Sequence, residues 1–140
     1  MRYYIASDPV NYEKAILLNE VLSARGHEHS QDRMCREGAV TDELLLGELT
    51  FSEFRAVRDA ELVVVLLPAR PETYTELGAA LATRGNKRII LWSETGEEFD
   101  IFDPVCSFCF HPSAERVVCP FPELLKLLDG VRISGELAND

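Results

Sequence analysis

Short hydrophobic runs alternate with segments of helical periodicity along this chain. Runs suited to strands occur at Tyr3–Ser7, Glu61–Pro68 and Arg88–Trp92, and the second is apolar on both faces, as central parallel strands are. Apolar residues at helical spacing predict one helix ended by Gly26 and another ended by Gly85. The other predicted elements are a weak strand at His27–Asp32, a helix at Phe51–Ala60 with Ser52 as its N-cap, a strand in "FCFH" or "RVVCP", and a last helix in "PFPELLKLLDGV".

This order of elements predicts an α/β fold. We expect a flavodoxin-like or Rossmann-like parallel sheet of about five strands with helices on both faces. The length of 140 residues suits a single domain over 1–140, with a frayed tail over 134–140. The segment Arg33–Glu48 has no clean period before Leu44, so we interpret it as a loop that carries at most a short helix.

The charge balance limits the partners of the protein. Fourteen basic side chains face 24 acidic ones, a net charge of −10, which disfavours binding to nucleic acid polymers. A small anionic ligand stays compatible with this charge if a few local cations or backbone N–H groups hold it. The chain has neither a long apolar run nor a signal-peptide pattern, so we expect no membrane association and a cytoplasmic location.

Familiar cofactor motifs are missing from the sequence, and we expect no cofactor. No P-loop, G-x-G-x-x-G or G-x-S-x-G pattern occurs.

Of the four cysteines, Cys106, Cys109 and Cys119 lie near His111, and these residues form a candidate zinc-binding or thiol-based site. The favoured interpretation is that the cysteines fill core space and that no metal is bound. His27 and His29 are interpreted as a partly exposed strand edge.

The acid Glu76 follows the most apolar strand, at the start of a helix predicted over Thr75–Arg84. One interpretation is that the helix dipole alone favours an acid in this first turn. The other is functional, because ligands of parallel sheets bind at the C-terminal ends of strands. Backbone N–H groups would keep such a carboxylate ionised, which suits a nucleophile, and Thr73 and Tyr74 would lie beside it to contact a substrate.

The segments "YIAS", "DAELVVVLLP" and "TYTELGAALATRGNKRIIL" together resemble the nucleoside 2-deoxyribosyltransferase family, especially its short bacterial members. The match covers the first strand and most of residues 60–91. The resemblance implies cleavage or transfer at an N-glycosidic bond, with Glu76 as the nucleophile and a glycosyl-enzyme ester as intermediate. Tyr4 matches the family's N-terminal tyrosine, which orients the nucleophile; a plain core aromatic is the equal alternative.

The same resemblance suggests where a substrate is held. Ser7 and Asp8 follow the first strand, where a sugar or phosphate would lie. The family loop before the nucleophile is rich in glycine, but here it reads "ARPET", so Arg70 is either a ligand for a 5′-phosphate or a surface charge. No aspartate matches the family residue that handles the leaving base, and Glu53 is the candidate acid in its place.

These patterns leave two main functional hypotheses. The first is an enzyme acting on a small-molecule nucleoside or nucleotide, either an N-glycosidase or a 2-deoxyribosyltransferase. The second is a non-catalytic module that binds a nucleotide-like ligand on the same fold, which the altered loop favours. The resemblance also implies a homo-oligomer, and the Phe-rich segments between Phe99 and Pro112 are candidates for its interface.

Overall fold

The predicted α/β fold is confirmed by a computed structural model that describes residues 1–30, 43–83 and 85–130. In this part of the chain, five parallel strands form one sheet in the spatial order β2-β1-β3-β4-β5. This order is the flavodoxin-like one. The strands are β1 (Arg2–Ala6), β2 (Glu28–His29), β3 (Leu62–Leu66), β4 (Arg88–Ser93) and β5 (Ala114–Val118).

Helices cover both faces of the sheet. One face carries α1 (Tyr12–Ala24) and α4 (Phe121–Asp129), and the other carries α2 (Glu43–Asp59) and α3 (Pro71–Ala82). None of the described helices is long and apolar enough to cross a membrane. Short 3-10 segments lie at Pro9–Asn11, Glu97–Phe99 and Ser107–Phe110.

The alternation of side chains along β1 and β3 divides the core into two layers. Tyr3 and Ile5 pack toward α1 and α4, while Tyr4 and Ala6 pack toward α2 and α3. All five residues of β3 are 0% exposed, which explains why its sequence is apolar at every position. Tyr4 therefore faces the layer that contains α3, the helix that carries Glu76.

The boundaries of several elements differ from the sequence predictions. Ser52 lies inside α2 and is not its N-cap. The predicted strand "FCFH" is a 3-10 helix, because its N–H groups bond within the segment, from Cys109 N to Cys106 O and from His111 N to Phe108 O. The last strand comes from "AERVV".

Other predictions fall partly or wholly outside the described residues. The strand predicted at His27–Asp32 is confirmed only as β2, and residues 31–32 lie outside the described ranges. Of the predicted loop, residues 33–42 also lie outside them, whereas residues 43–48 belong to α2. The tail over 134–140 is not among the described residues, and the single domain over 1–140 stays a prediction.

The strand order fixes the position of a ligand crevice. β1 is followed by α1 and leads to β2 on one side, whereas β3 is followed by α3 and leads to β4 on the other. Because these connections cover opposite faces, the C-terminal ends of β1 and β3 form the switch point at which sheets of this kind have their ligand crevice. Ser7 and Asp8 follow β1 at this edge, and Pro68 to Arg70 follow β3.

Candidate active site

The helix that carries Glu76 begins earlier than its sequence pattern indicated. Arg70 is the N-cap of α3, with extended backbone (φ −107°, ψ 174°), and Pro71 occupies the first helical turn. Proline suits this position because its fixed φ is helical and its missing N–H would have no partner there. Glu72 is therefore the acid of the first turn, and Glu76 lies in the second, so the predicted first-turn position was wrong.

Two buried polar side chains after β1 hold the connection between β3 and α3. Asp8 is 7% exposed, and its Oδ2 accepts a hydrogen bond from the backbone N–H of Arg70. Asn11 is 3% exposed, and its Nδ2 donates to the carbonyl oxygens of Leu66 at 3.4 Å and Pro68 at 3.2 Å. These bonds tie the start of α3 to the end of β1, and so fix the helix across the crevice.

Tyr4 and Glu76 meet inside this framework although they lie 72 positions apart in the sequence. The Tyr4 hydroxyl donates a hydrogen bond to Oε2 of Glu76. Tyr4 is only 4% exposed, so its ring is held by the core while its hydroxyl reaches the carboxylate. The two interpretations of Tyr4 are therefore compatible, because its ring packs in the core and its hydroxyl contacts the acid.

Burial dominates the electrostatics of Glu76 and raises its pKa to about 7. The hydrogen bond from Tyr4 opposes this rise, whereas the nearby charges of Glu53, Glu72 and Asp8 add to it. The expectation that backbone N–H groups keep Glu76 fully ionised was wrong, because the residue lies beyond the first turn of α3. At neutral pH the ionised and protonated forms are both well populated.

The other predicted substrate residues lie at different depths. Thr73 is 1% exposed within α3 and packs as part of the core, which argues against direct contact with a ligand. The Arg70 side chain is exposed at the helix start, and Ser7 is half-buried after β1. Glu53 is half-buried in α2, close enough to Glu76 to raise its pKa.

Tyr74 lies beneath the segment that connects β4 to β5. Its hydroxyl is buried without a hydrogen-bond partner in the described part of the chain. Burial, followed by the neighbouring thiols Cys109 and Cys106, raises its pKa to about 12. The phenol thus stays neutral at all physiological pH values and packs against the core on the α3 face.

The candidate zinc ligands do not converge. Cys106 and Cys109 pack on the face covered by α2 and α3, whereas Cys119 packs on the opposite face, where its carbonyl accepts the Trp92 indole N–H at 2.8 Å. The ring nitrogen Nδ1 of His111 accepts a hydrogen bond from the backbone N–H of Ser113 at 3.0 Å. Within residues 1–30, 43–83 and 85–130, no group of three or more Cys, His, Asp or Glu is arranged to hold a metal ion.

The sequence patterns missed two residues that support this site, Asn11 and His29. His29 is half-buried in the edge strand β2, as predicted, and its ring centroid also lies 5.6 Å from that of Tyr4. Its position depends on the pairing of β1 with β2, and no local motif signals such a contact. Asn11 comes soon after "SDP", and its position as a polar residue just beyond the end of β1 is the sequence feature that could have indicated a role at the site.

Comparison with solved structures shows that the chain shares its fold with several proteins of known structure. It aligns with the CMP N-glycosidase BcmB of Clostridium botulinum at 20% identity and a TM-score of 0.66, covering 92% of this chain and 98% of that one. BlsM, known from a solution structure, matches at 21% identity and a TM-score of 0.67, over 92% and 87% of the two chains. A 2-deoxyribosyltransferase of Bacillus psychrosaccharolyticus matches at 16% identity and a TM-score of 0.65, over 98% and 100%.

Sequence comparison alone gives no such relationship, since no protein-family model and no curated protein matches the chain. The structural alignments nevertheless span nearly the whole of each compared chain. The chain therefore has the fold of N-glycosidase and 2-deoxyribosyltransferase structures, and the resemblance carried by its sequence motifs is confirmed at the level of the fold.

Proposed function

We propose that this protein cleaves the N-glycosidic bond of a nucleoside or nucleotide, with Glu76 as the nucleophile. The observation that carries the proposal is the bond between the Tyr4 hydroxyl and the Glu76 carboxylate beside the β1–β3 crevice. Burial of this carboxylate near Glu53, Glu72 and Asp8 opposes its ionisation. Such a costly arrangement is typical of functional acids and has no evident benefit for folding.

The chemistry follows that of a retaining glycosidase. Ionised Glu76 attacks the anomeric carbon and forms a glycosyl ester while the bond to the base breaks, and the departing base takes a proton from Glu53, the candidate acid in α2. Water, or a second base, then attacks the same carbon, gives a proton back to Glu53 and releases the Glu76 carboxylate. Tyr4 supports the first step by stabilising the ionised form of Glu76 and fixing the oxygen that does not attack.

A nucleoside 5′-monophosphate is the substrate class that best fits the chain. The Arg70 side chain is exposed beside the crevice, and its guanidinium suits a phosphate. One of the structural neighbours is a CMP N-glycosidase, which acts on a monophosphate by name. The acidic surface, with a net charge of −10, disfavours a polymeric substrate.

A chromatographic screen tests this proposal. The protein is incubated with a panel of nucleosides, 2′-deoxynucleosides and their 5′-monophosphates, with and without a second free base. Release of free base identifies an N-glycosidase, and formation of a new nucleoside only when base is added identifies a transferase. Absence of turnover across the panel would contradict the proposal.

Substitution of Tyr4 by phenylalanine is expected to shift the pH dependence of the reaction. The Tyr4 hydroxyl lowers the pKa of Glu76, so its removal should raise that pKa. The acid limb of the kcat/KM profile, which reports the ionisation of Glu76, should therefore move to higher pH by roughly one unit. The profile is measured between pH 5 and 9 for both proteins. An unchanged midpoint, with only a uniform loss of rate, would show that Tyr4 does not act through the ionisation of Glu76.

A non-catalytic binding module is the second candidate function. The connection from β3 to α3 contains Pro68 and Pro71, which remove backbone N–H donors where glycines would let a ligand approach closely. Binding of a nucleotide to the intact protein by calorimetry, with no turnover of the same nucleotide, would favour this alternative.

The proposal includes assembly into a homo-oligomer. The connection between β4 and β5 exposes several large apolar side chains, a composition that suits an interface between subunits. We expect sedimentation velocity to give a dimer or larger species, and Phe102→Ser to shift it toward monomer; a monomeric intact protein would contradict this. The exposed residues are Ile101 (68%), Phe102 (91%), Val105 (61%) and Phe108 (57%).

A further inference from the structure

We infer that His29 is a positioning residue, which holds Tyr4 so that its hydroxyl meets the Glu76 carboxylate. His29 lies at the end of β2, and its contact with Glu76 is indirect, through Tyr4. The inference deepens the proposed function, on which it rests for the chemical role of Glu76. The physical link from His29 to Glu76 is measurable without any substrate.

The imidazole of His29 contacts two consecutive tyrosines of β1. Its ring centroid lies 5.0 Å from that of Tyr3, edge to face at 80°, and 5.6 Å from that of Tyr4, tilted at 45°. Consecutive side chains of a strand point to opposite faces of the sheet, so only a group beside the strand can touch both. The parallel register places His29 there, opposite Tyr3.

A second contact reaches the backbone next to Tyr4. Nε2 of His29 accepts a long hydrogen bond, 3.4 Å, from the backbone N–H of Ile5. The accepting nitrogen must be unprotonated, so the proton of the neutral ring resides on Nδ1. His29 thus contacts both the ring of Tyr4 and the peptide unit that follows it, which limits rotation of the tyrosine about its side-chain bonds.

The consequence for Glu76 follows from the role of the Tyr4 hydroxyl. Four groups shift the pKa of Glu76. They are Tyr4 in β1, Asp8 just after β1, Glu53 in α2 and Glu72 in α3 itself. Tyr4 alone among these favours the ionised carboxylate. A misplaced Tyr4 ring would leave the burial and the acidic neighbours unopposed.

The test is a titration of Glu76 by NMR in protein carrying ¹³C-labelled glutamate, with Glu76→Gln assigning its signal. His29→Ala should raise the titration midpoint of Glu76 by about half a pH unit or more, the equivalent of losing most of one hydrogen bond. His29→Phe keeps an aromatic ring without the acceptor, and His29→Gln keeps an acceptor without the ring, so each should raise the midpoint by less. His111→Gln is the matched control, because His111 also accepts a backbone N–H through a ring nitrogen, and it should leave the midpoint unchanged.

The same substitutions in a Tyr4→Phe background complete the experiment. If His29 acts through Tyr4, changing His29 there should no longer move the Glu76 midpoint. An equal shift in both backgrounds, or no shift in either, would overturn the inference. The titration also separates the two proposals: absence of turnover with a Tyr4-dependent shift contradicts only the proposed function, and turnover without a shift contradicts only the role of His29.

Discussion

Replacement of Glu76 by glutamine is expected to lower the rate of base release by about 10³-fold or more, the scale of loss when an essential nucleophile is removed. The amide keeps the size of the side chain and can still accept the Tyr4 hydroxyl, but it cannot form the glycosyl ester. Initial rates are compared by chromatography at saturating substrate, and nucleotide binding is measured by calorimetry. Binding should survive, because the change removes a reacting group and leaves the crevice intact.

A matched control comes from the opposite face of the sheet. Glu123 is an exposed glutamate in the first turn of α4, and Glu123→Gln should retain the activity of the intact protein. Both variants replace a carboxyl group by an amide, so a shared decrease would indicate a general effect of that change. Activity of Glu76→Gln within tenfold of the intact protein would contradict its role as nucleophile.

The same substitution is expected to stabilise the protein at neutral pH. Folding raises the pKa of Glu76 from 4.5 to about 7, so the folded state binds this proton more tightly than the unfolded state does. The resulting contribution to stability is fully present below about pH 4.5 and is lost as pH rises to about 7. Glutamine does not titrate. The gain in unfolding free energy of Glu76→Gln over the intact protein should therefore be roughly 3 kcal/mol larger at pH 7.5 than at pH 4.

Urea denaturation at several pH values measures this difference. All other titrating groups are common to the two proteins, so the change in the difference with pH isolates Glu76. A constant difference between pH 4 and 7.5 would show that the Glu76 pKa is not raised by folding. A widening difference would establish that the fold holds a carboxylate at a cost, as reactive sites commonly do.

The central architecture could be predicted from the sequence because burial dictates composition. β3 lies between β1 and β4 and is covered on both faces, so every position from Leu62 to Leu66 must be apolar, and the run stands out. Edge strands lack this constraint. β2 has only two residues and β5 has several exposed side chains, so the sequence predicts β2 weakly and predicts β5 with displaced bounds.

The candidate site was only partly predictable, for reasons of geometry. Glu76 and Tyr4 were found through the family resemblance, because no spacing rule relates residues 72 positions apart. The sequence predicts an ionised Glu76 in the first turn of its helix, but Pro71 begins α3, so Glu76 lies in the second turn, where burial raises its pKa. The contact of His29 with Tyr4 has no signal in the sequence, since it arises only once β1 and β2 pair.

The stereochemistry of cleavage tests the role of Glu76 most directly. Natural nucleotides have the β configuration at the anomeric carbon, and cleavage in the presence of methanol forms a methyl glycoside whose configuration is stable and is read by proton NMR. Two displacements through a Glu76 ester predict the β-methyl glycoside, with configuration retained. The α-methyl glycoside would mean a single displacement by solvent, and would contradict Glu76 as the nucleophile.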